Sequence, residues 1–131
     1  MPRIAIVEDD ELLSFLFEET CKSAGLQVAW NARGVNDALA MLANDEPDVL
    51  LLDFALDGER DGIELLAATD RCHPGLTTIL ATGWDYGRLA ARIDFVAPDH
   101  LLQKPVLPSV LASTLAAICG KAGDAGLAQA A

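Results

Sequence analysis

Apolar positions along the chain fall into short continuous runs, separated by longer stretches in which they recur every three or four residues. "RIAIV" (3–7) is a run of strand type, and "EDDELLSFLFEETCKSAG" (8–25) follows with Leu12, Leu13, Leu16 and Phe17 at helical spacing and Gly25 as its stop. The alternation then repeats. "LQVAW" (26–30) predicts a second strand, and "VNDALAMLAND" (35–45) a helix carrying Ala38, Leu39 and Leu42 on one face. "DVLLLDF" (48–54) is the third strand, and its unbroken Val49–Leu52 run predicts burial on both faces, as in a central parallel strand covered by helices. A polar, glycine-containing loop, "ALDGERDG" (55–62), leads to a helix over 63–72, which His73-Pro74-Gly75 breaks before a fourth strand, "LTTILAT" (76–82). A weaker helix over 84–93, a short strand "HLLQ" (100–103) and a last helix over 107–119 complete the pattern. That last helix is expected to place Leu107, Val110, Leu111, Thr114, Leu115 and Ile118 inward.

Five strand–helix repeats predict an α/β fold, a doubly wound five-stranded parallel sheet with helices on both faces and right-handed crossovers. The expected domain occupies residues 1–119, and 120–131, small and Ala-rich, reads as a flexible C-terminal tail with no room for a further output domain.

Composition narrows what such a domain can do. The 131 residues carry a formal charge of −11, which repels phosphate backbones and anionic lipid surfaces, so neither nucleic acid nor membrane is expected as a partner. Hydrophobic residues reach 52%, yet no apolar run approaches the roughly 20 residues that span a bilayer, and the N-terminus lacks a signal-peptide layout. A cytoplasmic protein is the simplest expectation. Cys21, Cys72 and Cys119 are too far apart in sequence for a C-x-x-C pair and read as reduced, packing thiols. His73 and His100 each stand alone near a turn and read as surface or structural residues.

Polar residues gather at the strand ends. In open doubly wound sheets ligands bind at the carboxyl ends of the strands. Glu8, Asp9, Asp10 and Glu11 follow the first strand, Asp53 ends the third, Thr82 ends the fourth and Lys104 follows the fifth. Asp10 and Glu11 are accounted for by a helix N-terminus, where acids meet the positive end of the dipole. Carboxylates as close as Glu8, Asp9 and Asp53 resist joint ionisation unless a cation intervenes, and Mg²⁺ suits oxygen ligands of this kind. With such a cation the set describes phosphoryl transfer. Asp53, positioned by a long apolar strand, is the candidate nucleophile, while Glu8 and Asp9 hold the metal, Asp9 directly and Glu8 through water. Thr82 and Lys104 then neutralise the phosphoryl oxygens.

"IVEDDE", "LLLDFALDGERDG", "ILATG" and "LQKP", in that order, resemble the signature blocks of bacterial two-component response-regulator receiver domains of the stand-alone, single-domain type. Asp9, Asp53, Thr82 and Lys104 are spaced 44, 29 and 22 residues apart, and the resemblance spans residues 3–119. It implies the flavodoxin-like receiver fold and phosphorylation of Asp53 by the phosphohistidine of a sensor histidine kinase or histidine phosphotransfer protein. It also implies a requirement for Mg²⁺, with Asp53 and the backbone carbonyl of Ala55 as further ligands, and a cis Lys104–Pro105 bond. The protein would then be a signalling phosphoacceptor rather than an enzyme, binding a downstream protein through the face around residues 83–104. One departure concerns the switch: receivers usually carry Tyr or Phe three residues before the lysine, where this chain has Leu101. Two alternatives fit these residues less well. An aspartyl phosphatase requires a second Asp where Ala55 stands, and a silent receiver acting as an unphosphorylated scaffold is disfavoured by the intact Glu8, Asp9, Asp53, Thr82 and Lys104.

Overall fold

Val49 to Asp53 (β3) is buried at every position, as its unbroken apolar run predicts, and forms the middle of a five-stranded parallel sheet. β1 (Arg3–Val7) pairs with it on one side and β4 (Thr77–Thr82) on the other; β2 (Gln27–Ala32) and β5 (His100–Gln103) form the edges, giving the order β2-β1-β3-β4-β5. The computed structural model describes residues 2–53, 62–83 and 97–130, with side chains as far as Cys119. The helix expected over 84–93 and most of the 55–62 loop lie outside the described residues.

Alternation along the strands builds two cores. Ala5, Val7, Leu50, Leu52 and Leu80 face α2 (Val35–Asn44) and α3 (Gly62–Cys72), whereas Ile4, Ile6, Leu51 and Ile79 face α1 (Glu11–Ser23) and α4 (Pro108–Ala130). Helices on both faces explain why β3 shows no polar alternation. Because strands leave the β1/β3 pair in opposite directions, the sheet has its switch point there, at the ends of β1 and β3.

Several boundaries differ from the sequence pattern for identifiable reasons. The first helix starts at Glu11 rather than residue 8, because Asp10, extended at φ −85 and ψ 117, caps it. Its carboxylate accepts from the N–H groups of Leu12 and Leu13 at 2.9 and 3.1 Å. Glu8 and Asp9 therefore stand in the strand-to-helix connection, not on the helix. The sheet-facing stripe of α1 runs through Leu13, Phe17 and Cys21, which leaves Leu12 and Leu16 exposed. In α4 the inward residues are Leu111, Leu115 and, in part, Ile118. Leu107 and Val110, expected inward, are exposed at 56% and 44%: Leu107 precedes the first helical residue, and Val110 points away from the Leu111–Leu115 stripe. The backbone of α4 continues past Cys119 to Ala130.

The thiols of Cys21, Cys72 and Cys119 are free, and burial pushes that of Cys21 up to about 12. His73 Nδ1 lies 2.8 Å from Glu46 Oε1, and His100 opens β5, both at the amino ends of the strands and away from the acidic rim. No helix among the described residues is long and apolar enough to cross a membrane.

Gly25 turns the chain from α1 into β2 at φ +90, with its N–H donating to Lys22 O at 3.1 Å and that of Leu26 to Cys21 O at 3.0 Å. Nothing lies within 4 Å of where a Cβ would sit, so the cost of adding one is conformational rather than steric. Gly25→Ala is expected to lower unfolding stability by about 1–2 kcal/mol in urea melts, because a side chain disfavours that backbone region. An unchanged midpoint would mean that the turn relaxes to a negative φ.

Candidate functional site

β1 and β3 deliver the acids. Glu8 follows the last residue of β1, and its N–H extends the ladder to β2 by donating to Ala32 O at 3.0 Å. Glu8 is 3% exposed and Asp53, at the end of β3, is 5% exposed. Asp9, half-buried, joins them: each of Glu8, Asp9 and Asp53 offers a carboxylate oxygen, and these three atoms lie within 4.8 Å of one another. β4 contributes Thr82, buried at the strand end one position beyond Ala81, the residue in register with Asp53. Past the end of β5, Lys104 N–H donates to Thr82 O at 2.7 Å, which carries the lysine to the same rim, and the following Lys104–Pro105 bond is cis, as the resemblance implies. The structure thus brings Glu8, Asp9, Asp53 and Lys104 together and sets Thr82 on the neighbouring strand end. Ala55 lies outside the described residues.

A single ammonium serves two buried carboxylates. Lys104 Nζ is 2.9 Å from Asp53 Oδ1 and 3.6 Å from Glu8 Oε2. The unequal distances leave Glu8 the less compensated partner. Its carboxyl is pushed up to about 7, first by burial and then by the charge of Asp53; Lys104 and the Asp10 N–H pull the other way without prevailing. Burial alone would lower the Lys104 ammonium, but the hydrogen bond and charge of Asp53, together with Glu8, outweigh it and leave Lys104 raised above its ordinary value.

One atom is left over. Glu8 Oε2 is buried without a hydrogen-bond partner, a costly condition for a charged oxygen. A hard divalent cation, or water bound to one, resolves both this orphaned oxygen and the crowding of the three carboxylates, so the donor set fits Mg²⁺. Asp10 is the feature that sequence reasoning passed over. Recognised there as a helix-terminal acid, it also donates its own N–H to Glu8 Oε1 at 3.2 Å. Glu11, exposed in the first turn, pairs with Arg33 at 3.0 Å and takes no part in the cluster.

Known proteins share this arrangement of elements. The family model of the response regulator receiver domain matches residues 4–116. Over 77 residues, 59% of this chain, the sequence is 38% identical to the DNA-binding transcriptional regulator NtrC of Salmonella typhimurium. Over 65 residues, 50% of the chain, it is 42% identical to the phosphate regulon transcriptional regulatory protein PhoB of Rhizobium meliloti. These matches span 16% and 28% of the lengths of those relatives. Among solved structures, a CheY-like response regulator receiver domain protein from Methanospirillum hungatei superposes with a TM-score of 0.82 at 25% identity, over 92% of this chain and 95% of that one. The signal receiver domain of a modulated diguanylate cyclase from Desulfovibrio desulfuricans superposes with a TM-score of 0.77 at 27% identity, over 88% and 90% of the two chains. With the matched family model covering most of the chain and a 2-1-3-4-5 sheet carrying its acids at the switch point, the chain belongs to the response regulator receiver domains, the phosphoacceptor domains of two-component signalling.

Proposed function

We propose that Asp53 accepts a phosphoryl group from the phosphohistidine of a sensor histidine kinase or histidine phosphotransfer protein, and that the phosphorylated form signals by binding another protein. The observation that carries this reading is the shared ammonium: Lys104 lies on Asp53 Oδ1 at 2.9 Å while three carboxylate oxygens crowd within 4.8 Å. Among the described residues such a site is short of positive charge, and the ammonium of Lys104 is aimed at the candidate acceptor.

Lys104 engages Oδ1 and leaves Oδ2 of Asp53 to attack phosphorus. The new bond joins that oxygen to phosphorus as the phosphorus–nitrogen bond of the donor imidazole breaks, and the leaving imidazole nitrogen takes up a proton. Lys104 then faces an acyl phosphate instead of a carboxylate, and the Thr82 hydroxyl donates to one of its oxygens. Glu8, Asp9, Asp53 and the carbonyl of Ala55 would hold Mg²⁺, with Glu8 acting through water. When bound, this ion supplies charge that offsets the carboxylates and the phosphoryl oxygens. Residues 1–119 form the phosphoacceptor unit in this proposal, with 120–131 as its tail, in the cytoplasm. Downstream protein binding is assigned to the face around residues 83–104, where half-buried Leu101 packs against the α2/α3 core in the place of the aromatic residue usual in receivers.

Intact mass after incubation with acetyl phosphate tests the chemistry without needing the natural donor. The expected result is a gain of one phosphoryl group that requires Mg²⁺ and disappears on chelation. Absence of the adduct, together with failure to bind beryllofluoride, would sink the proposal and leave a phosphorylation-independent scaffold.

A further inference from the structure

Asp10 faces in two directions. Its carboxylate Oδ1 accepts from the N–H groups of Leu12 and Leu13, closing the first turn of α1, while its own N–H donates to Glu8 Oε1 at 3.2 Å. The direction of a backbone N–H is set by the dihedral angles around it, and Asp10 has the extended conformation that an N-cap residue adopts. Glu8 has its other oxygen, Oε2, buried without a hydrogen-bond partner and 3.6 Å from the ammonium that is bound to Asp53. A carboxylate tethered at one oxygen has one oxygen to offer, and the tether decides which. We infer that Asp10 is a positioning residue for the metal site: through the α1 cap it keeps its N–H on Glu8 Oε1 and so keeps Oε2 turned toward the Asp53–Lys104 pair. The inference rests on Glu8, Asp9 and Asp53 being the Mg²⁺ ligands.

An exposed carboxylate next to a cation site could also act through its charge alone, or serve only to stabilise the helix. Four substitutions separate these roles, because all remove the charge but only two keep the cap. Asp10→Asn and Asp10→Ser retain a capping side chain, whereas Asp10→Ala and Asp10→Gly do not, and Gly at this position retains nearly all of the helix stability. Mg²⁺ affinity of the full chain is read from backbone amide NMR shifts, with thermal melts in chelated buffer as the measure of stability.

The Asn and Ser variants are expected to bind Mg²⁺ with similar affinity and the Ala and Gly variants about tenfold more weakly than these, as for loss of a group that orients a metal ligand. Weak binding by the Gly variant despite near-normal melting separates positioning from stability. Equal affinity in all four variants overturns the inference: Asp10 then acts by charge if they all fall below wild type, or only as a helix cap if they match it. If wild type itself shows no Mg²⁺-dependent shifts, the metal reading of the site fails, and the inference fails with it for that separate and recognisable reason.

Discussion

Asp53→Asn is expected to abolish phosphoryl uptake from acetyl phosphate while leaving the fold in place. The amide matches the carboxylate in shape and can still fit the end of a fully buried strand, but it lacks the nucleophilic oxygen that becomes the acyl phosphate. Two opposing changes accompany it. Lys104 loses its 2.9 Å charge partner, whereas Glu8 loses the neighbouring charge that, after burial, does most to raise its carboxyl. With Asp53 neutral, the ammonium 3.6 Å from Glu8 has one carboxylate to serve rather than two, and removal of the repulsion offsets removal of the ion pair. The melting temperature should therefore stay within a few degrees of wild type, about 1 kcal/mol for a domain of this size. The informative contrast is a folded protein with no mass gain. A residual, Mg²⁺-dependent adduct in the Asn variant would move the acceptor to Glu8 or Asp9, the two other carboxylates of the cluster.

How far this site was legible in the sequence depends on which physical signal placed each residue. The β3 run from Val49 to Leu52 announced a strand buried on both faces, and with it the position of Asp53, because hydrophobic continuity survives any detail of side-chain packing. Glu8, Thr82 and Lys104 were legible for the same reason: a parallel sheet carries every strand end to one rim, so chain order alone gathers them. Exposure on the helices was less legible. Leu12, Leu16, Leu107 and Val110 are apolar and near helical spacing, but the stripe that meets the sheet is narrower than the apolar pattern, and its phase is fixed by tertiary packing. The sharing of Lys104 between Asp53 and Glu8, and the Asp10 N–H on Glu8, were not legible at all. Both depend on ångström-scale directions of single groups, to which periodicity and spacing are blind.

Glu8 should make the metal-free protein less stable as the pH rises from 5 to 8, the reverse of ordinary acid denaturation. Its unfolded value is near 4.5 and its folded value about 7, so between these the folded state holds a proton that the unfolded state has lost. Stability from this group is fully present below pH 4.5 and is lost as the pH passes through 7. The gap between the two values corresponds to roughly 2–3 kcal/mol between pH 5 and 8, since each tenfold difference in proton affinity is worth about 1.4 kcal/mol. Lys104 does not shape this window, since a raised ammonium contributes stability throughout the range below 10.5. Asp45, held down by its hydrogen bond to Arg3, acts only at the acid end, where its contribution is lost as the pH falls through its lowered value. Urea midpoints in chelated buffer should accordingly be higher at pH 5 than at pH 8, and Glu8→Gln should flatten the difference. Mg²⁺ adds a second signature, because ion and proton compete for the same carboxylate. The ion should raise the midpoint strongly at pH 8 and hardly at pH 5, where Glu8 already carries its proton. A pH slope that persisted in the Gln variant would assign the titration to another group and leave the orphaned Oε2 oxygen without its proposed role.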